Sequence, residues 1–344
     1  MLTQVVGSRV YDFSYAAGRR DLAMVIGVAV STDDTVYLLT RPSEIIPDAP
    51  WDRTGSPAKI GKNTIGPEWG TEELIKEFGK YGQGDGQFIW PTGIALDSKA
   101  NVYVTDEWLN RVVVHDADGN LLGHWGQSGT DPGGLDRPSG IASDADDNFY
   151  IVDGAAHRIQ KFTSDGTYIT GWGEHGSGEG QFDSPWGITV DHDGNVYVAD
   201  HKNHRVQKFA PDGGYLASFG SYGSGRGELN RPSDVAVDPD GDVYACDWAN
   251  NRVQIFDPDG AFITSLVGDA QRLAMWQQMM VDANADVVKA RRRVYTLEPE
   301  WRFALPVGLE FDPHRSRIIV ADTQRARIQI YNKLDDYIEP QYNL

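Results

Sequence analysis

Four copies of one phrase stand at a constant interval of 47 residues: Pro91-Thr92-Gly93, Pro138-Ser139-Gly140, Pro185-Trp186-Gly187 and Pro232-Ser233-Asp234. Two further copies flank them, Gly27-Val28-Ala29-Val30 and Gly308-Leu309-Glu310-Phe311, at longer offsets that imply insertions. A period held over consecutive copies marks a repeat architecture. Each copy carries four strand-like runs, in the fourth copy 187–190, 195–199, 205–209 and 215–219. Asp118-Gly119, Asp165-Gly166, Asp212-Gly213 and Asp259-Gly260 supply the tight turn between the last two runs. One four-stranded sheet cannot bury both of its faces, whereas six packed radially around an axis can. The expected fold is therefore all-β, a six-bladed β-propeller of four-stranded antiparallel blades, forming a single domain over residues 1–344.

Two stretches break the period, 41–71 and 269–303. The first is rich in Pro and Gly and carries Trp51 and Trp69. The second, between blades 5 and 6, reads as helical. Asp269 stands at its start, Leu273, Trp276, Met280, Ala283 and Val287 fall on one side, and Arg291, Arg292 and Arg293 stand at the negative end of the dipole. Either surface cover or a lid fits both stretches. For ring closure, residues 8–14 read as a strand that pairs with the last blade, 308–340.

The charge balance bears on partners. With 31 Lys+Arg against 50 Asp+Glu, the formal net charge is −19, which disfavours nucleic acid and anionic membrane surfaces. The single cysteine, Cys246, lies in a strand pattern and reads as a buried, inert thiol. Met1-Leu2-Thr3-Gln4 lacks a basic region followed by an apolar core, so the expected location is cytoplasmic.

The stretch from Trp186 to Phe209, with Val196-Tyr197-Val198-Ala199-Asp200 followed by Asn203-His204-Arg205-Val206, resembles an NHL repeat. NHL propellers include enzymes, sensors and interaction modules, so the resemblance implies fold more than activity. The chain is also similar to the peptidyl-hydroxyglycine α-amidating lyases. That resemblance implies zinc on histidines directly after the proline entering the innermost strand, and an arginine after an early second strand. Arg41 matches the arginine. The six histidine positions hold Ile26, Thr92, Ser139, Trp186, Ser233 and Val307, so a tri-histidine zinc site is not expected there.

In a propeller, the loops entering the innermost strands and those leaving the second strands share one end of the ring. Asp106, Asp153, Asp200, Asp247 and Asp322 each stand five residues before an arginine. A pairing repeated in nearly every blade reads as a structural brace. Departures from the repeat carry more information. Arg41, Glu107 and His201 follow the second strands of blades 1, 2 and 4 and are the candidate catalytic residues: Arg41 as an anion clamp, Glu107 and His201 as acid–base groups. Trp90, Thr92, Trp108, Ser139, Trp186, Ser233 and Trp248 are the candidate substrate-binding residues at the same mouth. His157 and His204 read as loop residues, and no metal-ligand spacing is present. No cofactor is required, although structural calcium in the channel is compatible with the sequence.

Two functions fit. One is a lyase or hydrolase acting on a small, anionic organic substrate in an aromatic pocket at the channel mouth. The other is a non-catalytic scaffold that binds a protein partner or senses a ligand on the same face.

Overall fold

The computed structural model describes residues 3–18, 24–41, 58–66 and 68–334. In blades 2, 3 and 5 the inner strand begins at the repeated proline, and in every blade it pairs with a buried second strand, as in Pro138–Ser143 with Phe149–Asp153. Third and fourth strands follow antiparallel, here Arg158–Phe162 and Tyr168–Trp172. Six such sheets make the ring. The alternating apolar residues fill the spaces between neighbouring sheets, for example Tyr150, Val152 and Ile159 of blade 3 against Ile188, Val196 and Phe209 of blade 4.

Two glycines show why the repeat keeps that residue. Gly140 donates its N–H to the Trp186 carbonyl at 2.8 Å, and a Cβ there would lie 2.6 Å from the same oxygen. The inner strands of adjacent blades come this close only without a side chain. Gly166, in an Asp-Gly turn, has φ +86° and faces the ring of Trp125 from the preceding blade. Trp125 and Trp172 accordingly pack between sheets, against Phe162 and Phe209 respectively.

The ring closes as the sequence implies, with a longer seam. The strand Arg9–Ala17 pairs antiparallel with Arg327–Leu334 and supplies the outer strand of blade 6, with Thr3–Val6 added outside it. Ions lock this seam to blade 5. Lys333 Nζ bonds Asp238, Asp240 (2.8 Å) and Asp242 (3.1 Å), and Arg9 Nε meets Asp242 at 2.6 Å.

Both period-breaking stretches differ in detail from the sequence reading. Lys59–Thr64, inside 41–71, is the third strand of blade 1, paired with Thr35–Thr40 and Glu73–Phe78; Trp51 lies outside the described residues. The 269–303 stretch forms three short helices, α1 (Met275–Asp282), α2 (Ala285–Arg291) and α3 (Glu298–Trp301). Asn284 breaks the expected single helix because its side chain accepts the N–H groups of Asp286 and Val287, capping α2. Asp269 caps no helix; its buried carboxylate accepts from Tyr331 and Arg302. The two stretches meet where Trp69 Nε1 donates to the Leu273 carbonyl at 2.8 Å and Arg272 lies over the Trp69 ring. Among the described residues, no helix is long and apolar enough to cross a membrane.

Candidate functional site

The repeated Asp is a brace in four blades. Arg158, Arg205, Arg252 and Arg327 donate Nε to Asp153, Asp200, Asp247 and Asp322 at 2.7–2.9 Å. A glutamine two residues after each arginine, Gln160, Gln207, Gln254 or Gln329, donates to the same carboxylate. Blade 2 departs. Val113 replaces the glutamine, Arg111 keeps the carbonyl bonds to Gly84 and Gln87 that its counterparts also make but leaves Nε without a partner, and Asp106 accepts backbone N–H groups of Ile89, Trp90, Trp108 and Leu109. The expected Asp106–Arg111 brace is therefore absent: without the second donor to orient it, the carboxylate serves the backbone.

The braces hold the loops of one rim. There the structure brings Glu107, Ser139, Trp186 and His201 into a single open cleft of about 590 Å³, together with Arg137, His157, His175, Asp183 and Lys202. His201 is packed by Trp186, edge-on with ring centroids 4.7 Å apart, and by Trp248 at 5.9 Å. Its Nδ1 lies 3.1 Å from the Pro232 carbonyl. That geometry assigns the proton to Nδ1 and leaves the Nε2 lone pair available. Burial pushes its pKa down to about 4, so the ring is neutral at physiological pH.

The other expected site residues divide. Glu107 accepts Arg137 Nε at 2.9 Å; an ion-paired carboxylate positions better than it transfers protons. Arg41 lies beside Trp90, its guanidinium 4.6 Å from the ring centroid, and donates Nε to the Pro91 carbonyl at 2.6 Å. Burial lowers its pKa to about 10, which leaves it charged. Thr92, Ser139 and Ser233 send their hydroxyls to carbonyls of the next blade, Pro138 (3.0 Å), Trp186 (2.9 Å) and Pro306 (3.3 Å). These three therefore fasten blades together. Trp186, at the matching place in blade 4, cannot donate this way and faces the cleft instead. Trp108 stands 70% exposed and does not line the cleft.

Arg137, Asp183 and Lys202 were missed by reading only the residues after proline and after Asp. Arg137 directly precedes a repeated proline and Asp183 lies two before the next; comparing pre-proline positions across blades is the signal that finds them. No described residue of 41–71 or 269–303 lines the cleft.

Among the described residues, one group has metal-ligating atoms close together: His157, His175 and Asp183, all within 4.8 Å. His157 Nδ1, however, accepts the Ser184 N–H at 3.0 Å. Neutral imidazole then carries its proton on Nε2, so His157 must give up a backbone bond to ligate. The bond belongs to the fold: Asn110, His204 and Asn251 make the same one to the N–H of Arg137, Arg231 and Leu305, all from positive φ.

A pH effect follows, because a protonated Nδ1 cannot accept. His157 faces His175, Asp183, Lys202 and Asp200; His204 faces Arg231, Asp247 and Asp200. Burial first, then the neighbouring cations, lowers both pKa values. A depressed histidine contributes stability present above the unfolded pKa, about 6.5, and lost as pH falls through the folded value. The doubly substituted His157→Asn/His204→Asn protein is expected to lose less thermal stability than the parent between about pH 7 and pH 5, measured by scanning calorimetry. Equal losses in the two proteins would remove the histidines from the acid response.

Comparison with known proteins agrees with this architecture. The NHL repeat model matches residues 135–162, 182–209 and 229–256. Protein lin-41 of Caenorhabditis elegans is 46% identical over 48 residues, 14% of this chain and 4% of that protein. Among solved structures, a catalytically inactive virginiamycin B lyase from Staphylococcus aureus with quinupristin superposes with a TM-score of 0.56 at 15% identity, covering 94% of this chain and 100% of that one. A streptogramin B lyase gives 0.57 at 14%, covering 96% and 100%. A structural genomics protein of unknown function from Bacteroides thetaiotaomicron gives 0.61 at 16%, covering 95% and 76%. At such identities these likenesses speak to fold alone. Ring, repeat and matches converge: the chain is a six-bladed β-propeller that carries three NHL repeats.

Proposed function

We propose that the chain is a lyase-type propeller enzyme that binds a small, anionic organic substrate in the cleft of blades 2 to 4. The observation that carries this reading is His201, a half-buried, neutral imidazole hydrogen-bonded through Nδ1 and lining a cleft that also holds Lys202 and Arg137. In this reading the cations receive a carboxylate, and His201 Nε2 takes the proton from the adjacent carbon while the C–H electron pair forms a C=C bond and the β-substituent leaves with its bonding pair. Glu107 holds Arg137 in place. Arg41, stacked on Trp90, adds positive potential at the Glu107 side. The lyase neighbours support a propeller enzyme only through shared fold. Hydrolysis remains the variant in which the same base activates water.

Thermal-shift measurement against a panel of small carboxylates tests the binding half. Stabilisation by a panel member is expected in the parent and in His201→Ala, and is expected to vanish in Lys202→Ala/Arg137→Ala. Turnover of that compound is expected to fall by about 10²- to 10⁴-fold in His201→Ala. Its pH profile is expected to be level above about pH 4 and to drop below it as His201 protonates. Turnover unchanged in His201→Ala overturns the enzymatic reading.

A scaffold role draws on one specific observation, the 70% exposure of Trp108 beside the half-exposed Trp90 on the same rim. Exposed aromatics of this kind anchor protein partners. A Trp108→Ala protein that loses a partner while keeping turnover separates the two roles.

A further inference from the structure

At the opposite end of the channel the inner strands finish around a second cavity of about 300 Å³. Its walls are mixed: an apolar part from Val30, Val190, Val237 and Phe311 faces a polar part that includes Thr189, Asp191, His192, Asp238 and His314. Glu310 lines both this cavity and the narrow lumen beyond it, where only about 50 Å³ is open. Sister blades hold Ala29, Ala95, Ala142, Thr189 and Ala236 at the matching place, so the carboxylate is peculiar to blade 6. Deeper in the lumen stands Asp234, where the other five blades have Gly27, Gly93, Gly140, Gly187 and Gly308. Asp234 accepts the N–H groups of Val235 (3.0 Å) and Leu309 (2.9 Å), one on each oxygen.

Glu310 has no hydrogen-bond or ion-pair partner among the described residues and stands half-buried between the second cavity and the lumen. Burial, then the charges of Asp234 and Asp312, pushes its pKa up to about 8, and burial pushes Asp234 up to about 7. A buried carboxyl without a partner either keeps its proton or takes a cation. The carboxylates on the cavity rim are already engaged: Asp191 by Asn195 and Tyr197, Asp238 by Lys333 and Tyr244. A calcium or magnesium ion needs six or more oxygen ligands. Here one carboxyl is unengaged, and the valines with Phe311 make one side of the wall hydrocarbon. A cation that brings its own hydrocarbon fits both features.

We propose that this second mouth binds a small aliphatic ammonium ion, its alkyl body against Val190, Val237 and Phe311 and its charged head on Glu310, with Asp234 behind. The site lies at the far end of the ring from the cleft and stands or falls independently of the lyase reading. Glu310 supplies the countercharge for the ammonium head, and no cation among the described residues is paired with it.

Isothermal titration calorimetry with n-butylammonium chloride tests it, against n-butanol, sodium chloride and calcium chloride as separate titrants. Saturable binding of butylammonium is expected, with none of n-butanol or sodium chloride. Affinity is expected to fall at least about tenfold in Glu310→Gln and in Glu310→Ala, the residue of most sister blades. His201→Ala is expected to bind as the parent does. Equal affinity in parent and Glu310→Gln overturns the proposal. So does Glu310-dependent binding of calcium with no butylammonium heat, which makes the lumen a metal site instead. Both Glu310 variants remove a half-buried, unpartnered carboxyl, so folding is expected to survive, and their melting temperatures check it.

Discussion

Replacing Lys333 with methionine is expected to cost about 3–5 kcal/mol of stability, read as a lower urea midpoint at unchanged slope. Its ammonium is the shared partner of Asp238, Asp240 and Asp242, and the Asp238 and Asp242 side chains are fully buried. Burial alone would lower the lysine pKa, but the hydrogen bonds that Lys333 donates to Asp238 and Asp240 outweigh it and hold the group above its usual range. A raised lysine contributes stability throughout neutral pH and loses it only as alkali titrates the folded state. Methionine keeps the volume and leaves two buried carboxylates facing each other, with Arg9 on Asp242 alone. Because Lys333 and Arg9 stand on the two strands that close the ring, the effect is expected on the whole molecule. Adding Asp238→Asn to Lys333→Met is expected to recover part of the loss, since it removes an uncompensated charge. A loss below about 1 kcal/mol would assign the seam's strength to strand pairing alone.

Asp200→Ala is expected to be as damaging, about 3–5 kcal/mol, and to disable the cleft as well. The carboxylate collects the Asp183 N–H, the Asn203 amide, Arg205 Nε and Gln207 Nε2. Its loss leaves a mostly buried guanidinium without its anion and frees the Asp183 loop and His201, both parts of the cleft. The comparison is Asp106→Ala, where the ligands are backbone N–H groups and no arginine is stranded. There the expected cost is smaller, about 1–3 kcal/mol. Chemical denaturation of the two variants side by side checks the order. The reverse order would mean that the blade-2 loop, not the arginine brace, carries the rim.

The ring was legible because one module repeats: Pro-x-Gly, Val-Tyr-Val-x-Asp and Arg-Val-Gln each recur where neighbouring sheets impose the same contact. The brace was legible for the same reason, and it failed at Arg111, where Val113 withholds the second donor. Departures at Arg41, Glu107 and His201 fall on one rim. Their roles there were not legible, because whether Glu107 meets His201 or Arg137 depends on which loop lies across from it. The hydroxyls of Thr92, Ser139 and Ser233 looked available in the sequence and are spent on carbonyls 46 or more residues away.

Local order along the chain, then, determined the blades, their number and the end at which loops of mixed character gather, since period and alternation are properties of neighbouring residues. Contacts between blades decided the rest: the seam held by Lys333, the pairing of Glu107 with Arg137, the neutral state of His201 and the lone carboxyl of Glu310. Each of these depends on what burial and distant charge do to a group, and both arise only when the ring closes.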